Sequence, residues 1–448
     1  MTTEEIPEET TDKTPPDESG PSASRPAGGG PSRDAPESRP PSGDEAGDED
    51  GSRGRARRRR RLLLLVVIAA LAAALTDAWL PGLVGRLLNR TGDAGPYATG
   101  ARADALHREL FVADLHADSL LWDRDLLERG SYGHVDLPRM IEGGLDLQVF
   151  TIVTKVPMMP GFTDQPIPPD VTIRALALAQ DWPEETLTSL KARALYQAER
   201  LHRLERRSGG RFVVIEDRAG LDAYLAQPSG GPVAAGLLGI EGAHCLEGSP
   251  AAIDELHAAG VRMIGLVHFF DNALGGSAHG TTLSGLTALG REAVRRMEDR
   301  GITIDLAHAS PQLIRDVLAI ARRPVVVSHT GVRGTHDSPR NLSDEALRGV
   351  ARTGGVVGIA FFKHATGGDD LGSIVKAIRY TRDLIGAEHV ALGSDFDGSV
   401  PTPVHAGGLP LLTEALLAAG FTEDELRQIL GGNIVRVLRH NLPASSRR

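Results

Sequence analysis

From residue 111 onward the chain repeats one pattern: a short apolar, largely β-branched run, a polar or charged side chain, then a stretch with helical spacing. The runs are Phe111–Leu115, Leu147–Val153, Val233–Ile240, Val261–Val267, Ile302–Ala307, Val325–Ser328, Val356–Phe362 and Val390–Ser394. Between them lie segments such as Gly290–Arg300 and Pro311–Arg322, whose apolar positions recur with helical period. Strand-length runs alternating with helices predict parallel βα units. Eight of them predict an α/β fold, a (β/α)8 barrel of the TIM type, in which functional side chains collect at the C-terminal ends of the strands. A ninth run, Phe212–Ile215, is read as an accessory element ahead of the third barrel strand. The alternative is a doubly wound open sheet. That sheet would bind a ligand at one switch point and not gather polar residues from nearly every strand.

Upstream the pattern changes twice. Residues 1–52 are rich in Glu, Asp, Pro, Gly and Ser, with almost no large apolar side chains to offset the entropy of ordering, and are expected to be disordered. An arginine block follows at Arg53, Arg55 and Arg57–Arg61, and directly after it comes Leu62–Leu75, strictly apolar but shorter than the roughly 20 residues of a spanning helix. With Asp77 at the interface, Ala78–Val84 extends it to a tilted span. Basic residues stay on the cytoplasmic side. The expected organisation is therefore a disordered cytoplasmic tail over 1–61, a transmembrane signal-anchor over 62–84 and an extracytoplasmic barrel domain over 97–442. A cleaved signal peptide, with Ala72–Ala74 as its cleavage region, is the other reading; a leader of about 60 residues ahead of the apolar run is long for that and argues against it.

Charge and cysteine content narrow the chemistry. The net charge is −10, and beyond the arginine block no basic stripe suggests a nucleic-acid partner. With one cysteine, Cys245, no intrachain disulfide and no thiolate-rich zinc cluster can form, so a metal would be held by imidazole and carboxylate.

Such residues stand where the barrel would present them. His116 and Asp118 follow the first run two positions apart, so in a strand they share a face about 7 Å apart along the backbone and can grip one cation. Glu241, His268, His308, His329 and Asp395 each follow a later run. One His-x-Asp pair is weak evidence; the recurrence at strand ends is not.

In order, His116-x-Asp118, Ile240-Glu241-Gly242-Ala243-His244, Ile304-Asp305-Leu306-Ala307-His308, Val327-Ser328-His329, Ser338-Pro339-Arg340-Asn341 and Gly393-Ser394-Asp395-Phe396-Asp397-Gly398 closely resemble the motifs of the membrane (renal-type) dipeptidases, a family of zinc metallopeptidases. The connecting segments His134-Val135-Asp136-Leu137-Pro138-Arg139 and Gly431-Gly432-Asn433-x-x-Arg436-Val437 are similar too, so the resemblance runs from Phe111 to Val437. It implies an amidohydrolase-like barrel with two Zn2+ per chain: His116 and Asp118 on one ion, His308 and His329 on the other, Glu241 bridging. A carboxylate suits the bridge because two cations close together need a shared anion. The implied reaction is hydrolysis of a dipeptide bond by a metal-bridging hydroxide, with Asp395 moving its proton, His268 donating to the oxyanion and Arg340 clamping the terminal carboxylate of the substrate. D-residues at the C-terminal side, cyclic β-lactam amides and a homodimer are within what the family implies.

Competing readings accompany several residues. Asp397 rivals Asp395, since strand alternation puts both on one face. His244, His279 and His336 match no ligand position and are read as structural or loop-exposed. Asp305, three residues before His308, is expected to turn away from the site and make a structural contact. Around His268 the order Val267-His268-Phe269-Phe270-Asp271-Asn272 departs from the family, which has an Asn soon after the His, and this bears on the shape of the oxyanion pocket. The polar helical stretch Pro183–Arg207 is read as an insertion and Pro157–Pro183 as an irregular loop over the site. Two other functions stay open. One is an amidohydrolase-type hydrolase of lactones, esters or phosphotriesters, which would carry a carbamylated lysine where Glu241 stands. The other is a non-catalytic anchored metal-binding module, which would be expected to lack a ligand.

Overall fold

The computed structural model describes Arg58 and residues 82–445, apart from 94, 159–162, 168 and 228–230. The tail and most of the anchor expected over 62–84 lie outside the described residues. Residues 82–88 are helical. Among the described residues no helix is long and apolar enough to cross a membrane.

Eight parallel strands close into a ring: β1 (Val112–Ala117), β2 (Leu145–Val153), β3 (Ala234–Glu241), β4 (Val261–Gly265), β5 (Thr303–Asp305), β6 (Val326–Thr330), β7 (Val356–Ile359) and β8 (Val390–Leu392). Each pairs with the next, from β1–β2 to β7–β8, and β8 returns to β1 through Leu392 opposite Asp114, so the ring has no free edge. Every strand residue is buried. Near-continuous apolar runs are what strands covered on both faces require. The ninth run forms a short strand, Phe212–Val214, which pairs with residues 234–236 at the start of β3, ahead of the stretch that β4 uses, and so stays outside the ring. Another outer pair joins Thr91–Asp93, upstream of the expected domain start at 97, to Thr402–Val404.

Strand ends approach closely near β6. A Cβ on Gly358 would lie 2.2 Å, and one on Gly393 1.8 Å, from the carbonyl oxygen of Ser328, so only glycine lets β7 and β8 pack there. Two helices that follow site loops begin on side-chain caps: Thr287 accepts from Gly290 N (3.0 Å), and Ser310, followed by Pro311, accepts from Leu313 N (3.0 Å).

The stretch after Pro183 differs from the expectation. Leu190–Arg207 packs against β2 and β3, with Ala194, Ala198, Leu201 and Leu204 inward, and is the crossover helix of the second βα unit, not an added element. Its many charged residues concealed a narrow inward stripe. Buried Arg193 ties this helix to the preceding loop, donating to Thr154 O (2.9 Å) and to both carboxylate oxygens of Asp170 (2.8 and 2.7 Å). In the described part of the 157–183 loop, Trp182, Ile173 and Ala177 pack on Leu121, Trp122 and Val153, while Gln165 N donates to His279 O (2.7 Å).

Candidate metal centre at the C-terminal mouth

The five expected ligands meet at one place, at or just beyond the C-terminal ends of β1, β3, β5 and β6. Glu241 is central. Its Oε1 lies 2.9 Å from His308 Nε2, 3.4 Å from His329 Nε2 and 3.5 Å from His116 Nε2, and its Oε2 lies 3.3 Å from His268 Nε2. Asp118 Oδ1 is 3.5 Å and Asp395 Oδ1 3.9 Å from His116 Nε2, and the His308 and His329 Nε2 atoms are 3.0 Å apart. Ligands 2.0–2.1 Å from a tetrahedral ion are separated by roughly 3.4 Å, so these spacings suit such an ion. The residues are 0–7 % exposed, which means that their polar atoms must be satisfied from within.

Local backbone puts them there. His308 (φ 62°) and Asp395 (φ 62°) lie beyond the last paired residues of β5 and β8, in the left-handed region, and this conformation swings each side chain into the mouth. Strand alternation therefore does not govern Asp395 and Asp397. Asp397, also left-handed (φ 60°), is turned away. It pairs with Arg124 and accepts from Ser119 Oγ (2.6 Å) and His134 N (2.7 Å), and this separates the two rivals.

The protein groups alone are electrostatically frustrated. Burial, Asp118 and Asp395 push Glu241 well above the usual carboxylate range, and burial drives Asp395 up to about 8 despite His116. Burial would lower His116, but Glu241, Asp118 and Asp395 raise it to about 10. His308, His329 and His268 are held well below the ordinary imidazole value by burial and by neighbouring cationic groups, Arg340 among them. His116 Nε2 has no hydrogen-bond partner although it is fully buried. Crowded carboxylates, a His116 ring that takes up a proton to offset them, and three imidazoles held neutral, all with inward-facing Nε2 atoms, form a donor set that fits divalent ions with nitrogen and oxygen preference, zinc among them. By distance alone His268 is also within ligand range, grouped with Glu241 and His308.

Arg340 is buried and held by the centre itself: Nη2 donates to His329 O (2.8 Å) and Nη1 to Thr330 Oγ1 (3.4 Å). Among the described residues no carboxylate forms an ion pair with it. After His268, Asn272 shapes its own loop, donating to Leu266 O (2.8 Å) and accepting from Leu274 N (2.8 Å), while half-buried Phe269 stacks near His268 and His308, with ring centroids 4.4 and 5.5 Å away.

Of the supporting layer, Asp305 was expected from sequence and Thr151, Ser328 and Asp114 were not. Thr151 donates to Asp118 Oδ1 (2.6 Å). His279 is buried, with Nε2 2.9 Å from His308 Nδ1, so it is neither loop-exposed nor remote. Asp305 makes the structural contact expected of it, accepting from Ser328 N (2.8 Å), Ser328 Oγ (2.6 Å) and Ala307 N (2.9 Å). Asp114 repeats the device on the opposite side, accepting from Ser394 N (2.7 Å) and Ser394 Oγ (2.8 Å). The available signal is a Ser immediately before a site residue, in Ser328-His329 and Ser394-Asp395.

Fold and centre together define a class, the parallel-barrel metallohydrolases, because histidines and carboxylates from strands around the ring converge on one buried glutamate. The sequence comparison is more specific. The family model described as membrane dipeptidase (peptidase family M19) matches residues 100–447, and the chain belongs to that family of metallopeptidases. A dipeptidase, VerJ, of Clonostachys rogersoniana is 35% identical over 214 residues, covering 46% of this chain and 54% of that protein, about half its length. Among solved structures, a family M19 metallopeptidase described as dipeptidase AC is similar with a TM-score of 0.62 and 26% identity, covering 75% of this chain and all of that one. A Rhodobacter sphaeroides metallopeptidase, solved with a phosphinate mimic of the dipeptide L-Ala-D-Ala, is similar to the same degree (TM-score 0.62, 26% identity), over 74% of this chain and 99% of that one.

Proposed function

We propose that the protein is a zinc-dependent dipeptidase that hydrolyses the single peptide bond of dipeptides, including those with a C-terminal D-residue. The observation that carries this reading is Arg340, a buried guanidinium with no ion-paired carboxylate among the described residues, hydrogen-bonded to the main chain of His329. A cation fixed one residue's reach from the centre suits a substrate whose free carboxylate lies immediately beyond the scissile bond, and a longer peptide would place that carboxylate out of register. The L-Ala-D-Ala mimic bound by the Rhodobacter protein supports the inclusion of D-residues.

His116 and Asp118 would hold one zinc ion and His308 and His329 the other, with Glu241 shared between them. When bound, the ions supply Lewis-acid polarisation of the substrate carbonyl and lower the pKa of water. The remaining work falls to the chain. Asp395, whose Oδ1 faces His116 but which makes no ion pair with a basic side chain other than that histidine among the described residues, takes the proton of the attacking water and returns it to the leaving amine. His268 has Nε2 toward Glu241 and is the donor to the oxyanion. Glu241 in place of a carbamylated lysine weighs against the lactone, ester and phosphotriester alternatives.

The test is steady-state hydrolysis of Gly-D-Ala, L-Ala-L-Ala and a matched tripeptide by the full chain loaded with zinc. Cleavage confined to dipeptides is expected; tripeptide cleavage at a comparable kcat/KM, or none of either with two zinc ions bound, would overturn the reading. We also propose that residues 62–84 anchor the chain with its barrel on the extracytoplasmic side. This rests on the arginine block abutting the apolar run, and detergent-free extraction of the full chain from membranes would refute it. The homodimer rests on family resemblance, and sedimentation of the detergent-solubilised chain checks it.

A further inference from the structure

Ser328 is fully buried, and its hydroxyl faces three groups at once. It lies 2.6 Å from Asp305 Oδ2, 3.0 Å from His116 Nδ1 and 3.0 Å from His329 Nδ1. A hydroxyl has one proton and two lone pairs. Asp305 Oδ1 already accepts from Ser328 N and Ala307 N, and as a carboxylate Asp305 has no proton to give, so the hydroxyl proton points to Asp305. Both lone pairs then face imidazoles, and each imidazole must carry its proton on Nδ1. That leaves Nε2 of each ring, the nitrogen facing Glu241, as the one to take a metal ion. In the reading above, His116 and His329 belong to different ions.

We propose that Ser328 is a positioning residue that locks the Nδ1–H tautomer of His116 and His329 together, so that one hydroxyl, oriented by Asp305, prepares a ligand for each of the two ions and links their binding. The site contains its own control. Ser394 is clamped by Asp114 through the same two bonds, but otherwise its hydroxyl meets main-chain atoms, the oxygen of His116 (3.2 Å) and Phe396 N, which donates to it (3.1 Å), and no ring nitrogen.

The inference rests on the assignment of two zinc ions, which is checked first and separately by the zinc content of the wild-type full chain. Two readouts then test Ser328. In zinc titrations against a metal buffer, Ser328→Ala should weaken both ions by roughly 10- to 100-fold, the usual cost of losing a group behind a ligand. Ser394→Ala should leave both midpoints within about threefold of wild type on the same scale. In the zinc-free chain, ¹⁵N spectra of labelled histidine should show His329 as the Nδ1–H tautomer in wild type and as a mixture in Ser328→Ala. Asp305→Asn guards against a variant that fails to fold. Its amide would donate to the hydroxyl and turn the hydroxyl proton toward one imidazole, so one ion should weaken while the other keeps its affinity. The proposal is overturned if Ser328→Ala shifts neither midpoint or only one, if Ser394→Ala shifts both equally, or if the His329 tautomer persists without the hydroxyl.

Discussion

Replacing Arg340 tests the substrate reading most directly. Burial disfavours its charge, partly countered by Asp395, Glu241 and Asp305, so the guanidinium is held below its ordinary pKa and has a strong tendency to acquire an anion. Of its five N–H donors, the bonds to His329 O and Thr330 Oγ1 use two, leaving three for a carboxylate. Lysine keeps the charge but not the planar fork, so Arg340→Lys loses at least one charge-assisted bond, about 1.5–3 kcal/mol. At 1.36 kcal/mol per decade, that is roughly 10- to 150-fold in kcat/KM. Arg340→Met removes the charge as well and should cost about 2–5 kcal/mol. The assay compares a dipeptide with its C-terminal amide, which presents no carboxylate. Wild type should favour the acid strongly, Arg340→Lys less so, and Arg340→Met hardly at all. Because the bond to His329 O also supports a ligand, zinc content is measured on each variant. If Arg340→Met retains its zinc and loses activity equally on acid and amide, Arg340 supports the centre and does not read the substrate.

Glu241→Gln keeps the shape but removes the negative charge of the shared position and leaves it one neutral acceptor oxygen; zinc analysis should show one ion lost, with kcat reduced by at least ~10³-fold, the scale of removing a catalytic electrostatic group. Asp397→Asn leaves the Arg124 guanidinium, 5 % exposed, without its partner and should cost about 3–5 kcal/mol by urea unfolding. Arg124, His134 and Ser119 hold the Asp397 carboxyl below the ordinary carboxylate value against the opposing effect of burial. Its folded pKa is below its unfolded one, so its contribution is complete above about pH 4 and declines as pH falls further, and this acid-side loss should be missing from the Asn variant. Chelation should lower Tm, and returning zinc at ~100 times its Kd should restore about 2.7 kcal/mol per ion; a Tm indifferent to zinc would argue against a buried centre.

The parts of the centre that could be read from sequence are those whose residue types are rare after an apolar run. His116, Asp118, Glu241, His268, His308, His329 and Asp395 stood out because imidazole or carboxylate recurred at strand ends, where burial is costly without a partner, and the family resemblance singled out five of them as ligands. Strand alternation failed beyond the last paired residue. β5 stops at Asp305 and β8 at Leu392, so the left-handed turns at His308, Asp395 and Asp397 were invisible to a period-two argument, and the choice between the last two depended on Arg124, more than 270 positions away. The crossover helix Leu190–Arg207 was obscured for the opposite reason, because charged residues on its outer side outweighed an inward stripe of alanine and leucine. Ser328, Thr151 and Asp305 are ordinary residues until the ring brings them together. His279 was visible as a histidine, but nothing in its surroundings tied it to His308.

The positions of the ligands along the chain also bear on how the centre is made. His116 and Asp118 emerge early in synthesis, Glu241 well after them, and His308 and His329 later still; Asp395 arrives only with β8, the strand that joins β1 and closes the ring. Such long sequence separations form late in folding, since each requires closure of a large loop. A chain interrupted before β6 offers only part of the ligand set, and one lacking β8 has no Asp395. In the two-ion reading proposed above, stable retention of both ions would record that translation and closure both reached completion, and would separate finished molecules from truncated ones without any measurement of activity.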